Sequence, residues 1–290
     1  MRSTVTAHDD WSWSDAEVAV PTPSERLPGV SMAGFRFRRR LPSLVEIGMV
    51  AHPSVTMIID LSTDGGIVHR IGGPAQRGSF MAGLLPGHVQ AGGLDGECLQ
   101  IRLSPVVARQ VLGPSVELTG EVAGPEQLLG RTAVLFEDAL RTAGSWSERF
   151  AIAADFVDRR LGIRSAVEPE VDLAWQRTLA GRGVVRIDDL AAEVGWSRQR
   201  LWSRFRAELG ITPKRAAQLV RFDHAAHLLA SGRPAADVAV VSGYADQSHL
   251  HREVRAITGG TPAAVAAAPW LAIDDVAWPA ESGVAHGAIL

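Results

Sequence analysis

Five positions toward the C-terminal end of the sequence recur in order. Leu201, Phe205, Gly210, Thr212 and Pro213 are answered by Leu250, Val254, Gly259, Thr261 and Pro262, each 49 residues further on. A period of this length means one supersecondary unit used twice. The glycines Gly195 and Gly243 lie 48 apart, so the second copy carries one extra residue between its turn and the helix that follows. The first copy runs from Asp188 to Gly210. Asp188 or Asp189 is suited to cap a short helix, Gly195 gives a turn position that tolerates positive φ, and Ser197 is suited to cap the next helix. At about 100° per residue, Leu201, Phe205 and Leu209 fall on one side of that second helix and form a core stripe. The pattern is a helix-turn-helix.

The opposite side of the same helix gathers Gln199, Trp202, Ser203 and Arg206. That is the face a DNA major groove would meet, with Arg200 and Arg204 beside it for phosphates, and Arg198 at the start of the helix belongs to the same DNA-binding set. Trp202 there fits either of two roles, groove contact or partial burial against its own helix. From Arg198 to Arg221 there are seven basic residues and one acid, Glu208, a local charge of +6 in a chain of formal net charge -3. Such a balance excludes a surface that coats nucleic acid along its whole length and concentrates the electrostatic attraction in one patch.

The second copy runs from Ala236 to Gly259, with its recognition helix starting near Gln247. The 49-residue offset carries the first face onto Ser248, His251, Arg252 and Arg255. Arg252 has the geometry to donate twice to a guanine, and Gln247 and His249 sit in a first turn that favours phosphate. His249 and His251 diverge by about 200° on a helix, which argues against a shared metal. His224 and His227 read as solvated helix residues. Between the copies, Thr212 and Pro213 open a helix to about Ala230, whose Ala217, Val220, Ala225, Leu228 and Leu229 recur at helical spacing, so it is expected to pack on both modules. With such a stiff spacer, two recognition helices would enter major-groove segments about 34 Å apart, and a monomer would cover a bipartite site.

The stretches LAAEVGWSRQRLWSRFRAELGITP and GYADQSHLHREVRAITGGTP, with Arg221, Ala225 and Leu228-Leu229 between them, resemble the AraC/XylS family of bacterial transcription regulators. The resemblance covers residues 166–268. It implies an all-helical domain of about seven helices, sequence-specific binding to double-stranded promoter DNA, and regulation through contact with RNA polymerase. Ser203 stands where the family usually has arginine, Val254 where it has an aromatic residue, and Ala216, Val265 and Ala266 where tyrosine or a tyrosine-arginine pair is usual. These departures bear on base readout by the first copy and on packing of the second.

Upstream, 290 residues leave room for a second domain. Residues 1–26 read as an irregular arm holding Trp11 and Trp13. Residues 27–164 read as an α+β domain for sensing or dimerisation, and 269–290 as a tail. Val55–Leu61, Ile67–Ile71, Ser79–Leu84 and Cys98–Leu103 are short apolar runs suited to strands, and Asp64-Gly65-Gly66 is a hairpin signal between the first two. Ser104 and Pro105 predict a helix to Gly113; one helix is expected from Pro125 to about Arg141, and another, opened by a Ser145/Glu148 capping box, to Leu161. The segment from Gly162 to Pro169 reads as a linker.

This half is similar to the sensor-type domains of the same family, which implies a small-molecule effector or a homodimer. His52, His69 and His88 lack the spacing of a metal site, and neither cofactor nor metal is expected. No apolar run reaches the length of a spanning helix, so the expectation is a cytoplasmic protein without membrane contact. The rival reading is a DNA-repair alkyltransferase with a DNA-binding appendage. It would need Cys98, the only cysteine, as an activated nucleophile. The sequence reading is therefore a non-enzymatic regulator: an α+β sensor-type domain followed by an all-α double helix-turn-helix.

Overall fold

The computed structural model describes residues 16–37, 52–62, 66–70, 74–84, 90–93, 96–113, 122–163 and 166–267. Its N-terminal part is built on two antiparallel sheets. The larger comprises β1 (Ala16–Ala19), β2 (Val30–Phe37), β3 (Val55–Asp60), β6 (Phe80–Ala82), β8 (Glu97–Leu103) and β9 (Val122–Ala123), in the order β1-β2-β8-β3-β6-β9. The smaller has β4 (Ile67–Arg70) between β5 (Gln76–Arg77) and β7 (Gln90–Gly93). Side chains alternate across a strand, and the register exploits this. Met32, Ile101 and Met57 stand in one row across β2, β8 and β3 and are buried with Leu99, Leu103 and Ile59 on one face. Ala33, Phe35 and Cys98 lie on the other face, against Ile67 of the small sheet.

The first face is covered by helices. α1 (Pro105–Leu112) starts where Ser104 Oγ accepts from the Val107 amide at 3.2 Å, with proline in the first turn. α4 (Trp146–Leu161) is capped by Ser145 Oγ accepting from the Glu148 amide. Glu148 reaches back to the Gly144 amide at 2.9 Å, one residue earlier than a capping box requires. The single helix expected from Pro125 is two, α2 (Pro125–Leu129) and α3 (Arg131–Thr142). Gly130 separates them at φ 58°, outside helical space.

Two further expectations are corrected. The hairpin across Asp64-Gly65-Gly66 does not form, because β3 pairs with β6 and β8 while β4 pairs with β5 and β7. Residues 63–65 themselves lie outside the described residues. The buried Asp60 carboxylate accepts from the amides of Ser62 and Ile67 at 3.0 and 2.8 Å, which directs the chain out of one sheet and into the other. The N-terminal arm is not irregular throughout, since β1 pairs with β2 along its whole length. Trp11, Trp13, His88 and the tail from 269 lie outside the described residues.

Seven described helices follow: α5 (Pro169–Ala180), α6 (Ile187–Glu193), α7 (Arg198–Leu209), α8 (Pro213–Ala230), α9 (Ala235–Val241), α10 (Gln247–Thr258) and α11 (Pro262–Ala266). They repeat as α5-α6-α7 and α8-α9-α10, each a leading helix and a helix-turn-helix. The buried residues of the sheet region and of these helices form one contiguous apolar cluster. α1 packs on α7, and Arg109 Nε lies 3.6 Å from Glu208 Oε2 across that contact.

Candidate nucleic-acid interface

Both recognition helices begin and end with the same devices. Ser197 Oγ accepts from the Arg200 amide at 3.2 Å, and 49 residues on Asp246 Oδ1 accepts from the His249 amide at 2.6 Å. Each helix closes on a left-handed glycine, Gly210 at φ 77° and Gly259 at φ 72°. Thr212 and Thr261 then cap α8 and α11. The extra residue of the second copy falls between Gly243 and the Asp246 cap. α6 differs from expectation: Arg186 occupies its N-cap without a side-chain bond, and Asp188 and Asp189 lie in the first turn. Acidic groups there still favour the helix through its dipole.

The buried stripes are Leu201, Phe205 and Leu209 on α7 and Leu250, Glu253 and Val254 on α10. With those faces turned inward, Gln199, Trp202, Ser203 and Arg206 are exposed on α7, as are Ser248, His251, Arg252 and Arg255 on α10. Arg198, Arg200 and Gln247 are exposed too. Arg198 lies 3.5 Å from Asp188, the Arg200 guanidinium stacks 4.6 Å from the Trp196 ring centroid, and Arg252 Nε donates to the Ser248 carbonyl at 3.4 Å. Gln247 Nε2 and His251 Nε2 are 3.4 Å apart. His249 is partly buried, with its ring edge-on to Tyr244 at 5.3 Å.

Arg204 is tied to protein. Its Nε donates to Glu168 Oε2 at 2.8 Å and its Nη2 to Glu168 Oε1, with Glu208 at 3.7 Å. The Arg204 hydrogen bond holds the Glu168 carboxyl below the usual glutamate value. Arg221 belongs to the interior rather than to the surface charge counted from sequence. Its guanidinium donates to Glu253 at 3.2 and 2.6 Å and lies 4.6 Å over the Tyr244 ring. Tyr244 Oη donates to the same carboxylate at 2.8 Å. Burial, then the Glu253 charge, pushes the Tyr244 hydroxyl well above its ordinary value. Neither Glu168 nor Glu253 is evident as a functional residue from its own neighbourhood. One signal was available: a glutamate at 253 interrupts the apolar spacing set by Leu250, Val254 and Ile257, and a carboxylate in such a stripe needs a buried partner.

The two units are fixed to each other. α8 is continuous for 18 residues and packs on α5, α7, α9 and α11. Gly183, at φ 73°, lies so close to α8 that a Cβ there would come within 2.2 Å of the Ala217 carbonyl. A Cβ on Gly243 would meet Val184 at 2.7 Å. The second turn is thus seated against the loop of the first unit. Val254, Ala216 and Val265, which depart from the resembled pattern, are all buried, and Ala266 is partly buried against the core.

Cys98 is buried, and burial followed by the charges of Asp60 and Glu97 pushes its thiol up to about 12. A thiol held protonated is not a nucleophile at neutral pH, so the alkyltransferase reading loses its reactive group. His69 is buried beside Phe80, with ring centroids 4.4 Å apart, and burial lowers its pKa. Among the described residues no cluster of three His, Cys, Asp or Glu could hold a metal, and no helix is long and apolar enough to cross a membrane.

Residues 190–268 match a family model described as a helix-turn-helix domain. Over 66 residues the chain is 36% identical to an uncharacterised HTH-type transcriptional regulator, YbfI, of Bacillus subtilis (strain 168). The match takes in 23% of this chain and 24% of that relative, so the chain spans about a quarter of the length of the curated relative it matches. Among solved structures it is similar to the C-terminal domain of AraT, a response regulator from Geobacillus stearothermophilus, with 24% identity, a TM-score of 0.33 and coverage of 35% and 87% of the two chains. It is also similar to ToxT from Vibrio cholerae O395 bound to (E)-4-(8-methylnaphthalen-1-yl)but-3-enoic acid, with 13% identity, a TM-score of 0.48 and coverage of 83% and 99%. Over residues 190–268 the chain thus carries a helix-turn-helix domain.

Proposed function

We propose that the chain is a sequence-specific, DNA-binding transcription regulator that reads a bipartite promoter site through α7 and α10. The observation that carries this reading is the equivalence of the two helices. At matching positions of the repeat each has a capped N-terminus, a buried stripe and an exposed polar and basic face. Arg206, Arg252 and Arg255 supply guanine-directed or phosphate-directed charge, and Gln199, Trp202, Ser203, Ser248 and His251 supply further contacts. Arg198, Arg200, Gln247 and His249 lie where backbone contacts fall, and Arg204 lies beside them, held by Glu168. A protein of this kind works in the cytoplasm beside its DNA and catalyses no reaction.

The sheet region serves as the controlling part. An effector or a second copy that binds one arrangement of the sheet region and the helices better than another shifts DNA affinity, or contact with RNA polymerase, by that difference in free energy. The packing of α1 on α7 gives such a shift a direct route. Selection of bound sequences from random duplex DNA by the full chain tests the reading. Enrichment of two read segments about one helical turn apart supports it, and the absence of any enriched sequence, with or without added metabolites, refutes it.

A further inference from the structure

Trp202 keeps 44% of its surface exposed although it sits one residue from the buried Leu201. One turn along the same face, the Arg206 guanidinium lies 5.4 Å from the Trp202 ring centroid. The other arginines of the helix are engaged elsewhere, Arg198 near Asp188, Arg200 over Trp196 and Arg204 on Glu168. Trp202 and Arg206 therefore stand out of α7 together, an apolar plate carrying a stacked cation.

A major groove offers one apolar feature, the thymine methyl group, and its commonest arginine target is the O6/N7 pair of guanine. A guanidinium held against an aromatic ring is partly ordered before it binds, so less freedom is lost when its planar fork meets two acceptors. Residues four apart on a helix are separated by about 6 Å along the axis. Base pairs stack at about 3.4 Å, so the two targets lie within two base pairs of each other. We propose that Trp202 and Arg206 form one reading unit for a thymine methyl and a neighbouring guanine in the first half of the site, so that α7 reads bases although Ser203 offers no guanidinium. The proposal rests on the DNA-reading function above and adds the base chemistry.

The test uses the full chain and duplexes taken from the selection described above. Each thymine of the first segment is replaced singly by uracil, which removes the methyl group and nothing else. One replacement is expected to weaken binding about fourfold, the worth of one apolar carbon, and to have no effect on the Trp202→Ala variant. Arg206→Lys keeps a positive charge near the backbone but loses the fork. It should lose discrimination at one guanine by about 5- to 150-fold with an unchanged salt slope. Uracil tolerated at every thymine overturns the proposal and leaves the DNA-reading function standing, and so does an equal loss in wild type and Trp202→Ala. A chain that selects no sequence overturns both.

Discussion

Arg204 on α7 and Glu253 on α10 occupy the same position of the 49-residue repeat, and each is ion-paired to the leading helix of its own unit with the sign reversed. Arg204 bonds to Glu168 at the N-cap of α5, and Glu253 bonds to Arg221 within α8. The first pair is partly open to solvent, with side-chain exposures of 43% and 33%, whereas Glu253 is 5% exposed. The same position is thus an exchangeable surface contact in one unit and a buried fastening in the other.

Glu168→Gln is expected to strengthen binding to all sequences and to steepen the dependence of log affinity on log salt by about 0.9, the share of one added phosphate contact. The change frees Arg204 and removes the carboxylate that holds it. Titration of affinity against salt for wild type and variant measures both effects; an unchanged slope would mean that Arg204 stays on protein in the complex.

Glu253→Ala should destabilise the fold by about 2 to 4 kcal/mol, because it strands the Arg221 guanidinium and the Tyr244 hydroxyl in a largely dry site. Denaturant unfolding measures the loss. A cost no larger than that of Glu168→Ala would contradict the buried role, since exposed pairs contribute at most about 1 kcal/mol.

The only tyrosine of the chain is Tyr244, so alkaline tyrosinate absorbance reports that site alone. In the folded protein its pKa is raised from the ordinary 10.0. The raised value favours the neutral hydroxyl that donates to Glu253. Its contribution to stability is present in full below about pH 10 and is lost as pH rises from there through the folded value. Absorbance should rise well above pH 10 in native protein and near pH 10 in denaturant. Coincident curves would contradict the buried bond.

Arg252→Ala is expected to weaken specific binding by about 1 to 3 kcal/mol and to relax preference at one base position in the second segment. Arg252 is exposed, and among the described residues its tie is a 3.4 Å bond to its own helix, so the folded state should be unaffected. An unchanged sequence preference, read by repeating the selection with the variant, would remove Arg252 from the reading set.

The helical half was legible because its information is local. Caps at Ser197, Thr212 and Thr261, the glycines that end α7 and α10, and stripes at three- and four-residue spacing all lie within one turn of what they determine. The exposed faces followed from the stripes. What failed depended on distant partners. The apparent hairpin at 64–66 was misread because β3 finds β8 some forty residues away, and β1 was missed because its pattern is completed by β2. The charge count around α7 included Arg221, whose carboxylate partner lies 32 residues on. The linker reading missed that Val167 is buried and that Glu168 holds a recognition-helix arginine.

Guanine-methylation interference on a selected duplex, run with wild type, Arg206→Ala and Arg252→Ala, tests the two-helix account most directly. The account predicts two clusters of major-groove contact about one helical turn apart on one face of the DNA, the first lost in Arg206→Ala and the second in Arg252→Ala. A single continuous cluster, or two clusters that vanish together in either variant, would contradict it.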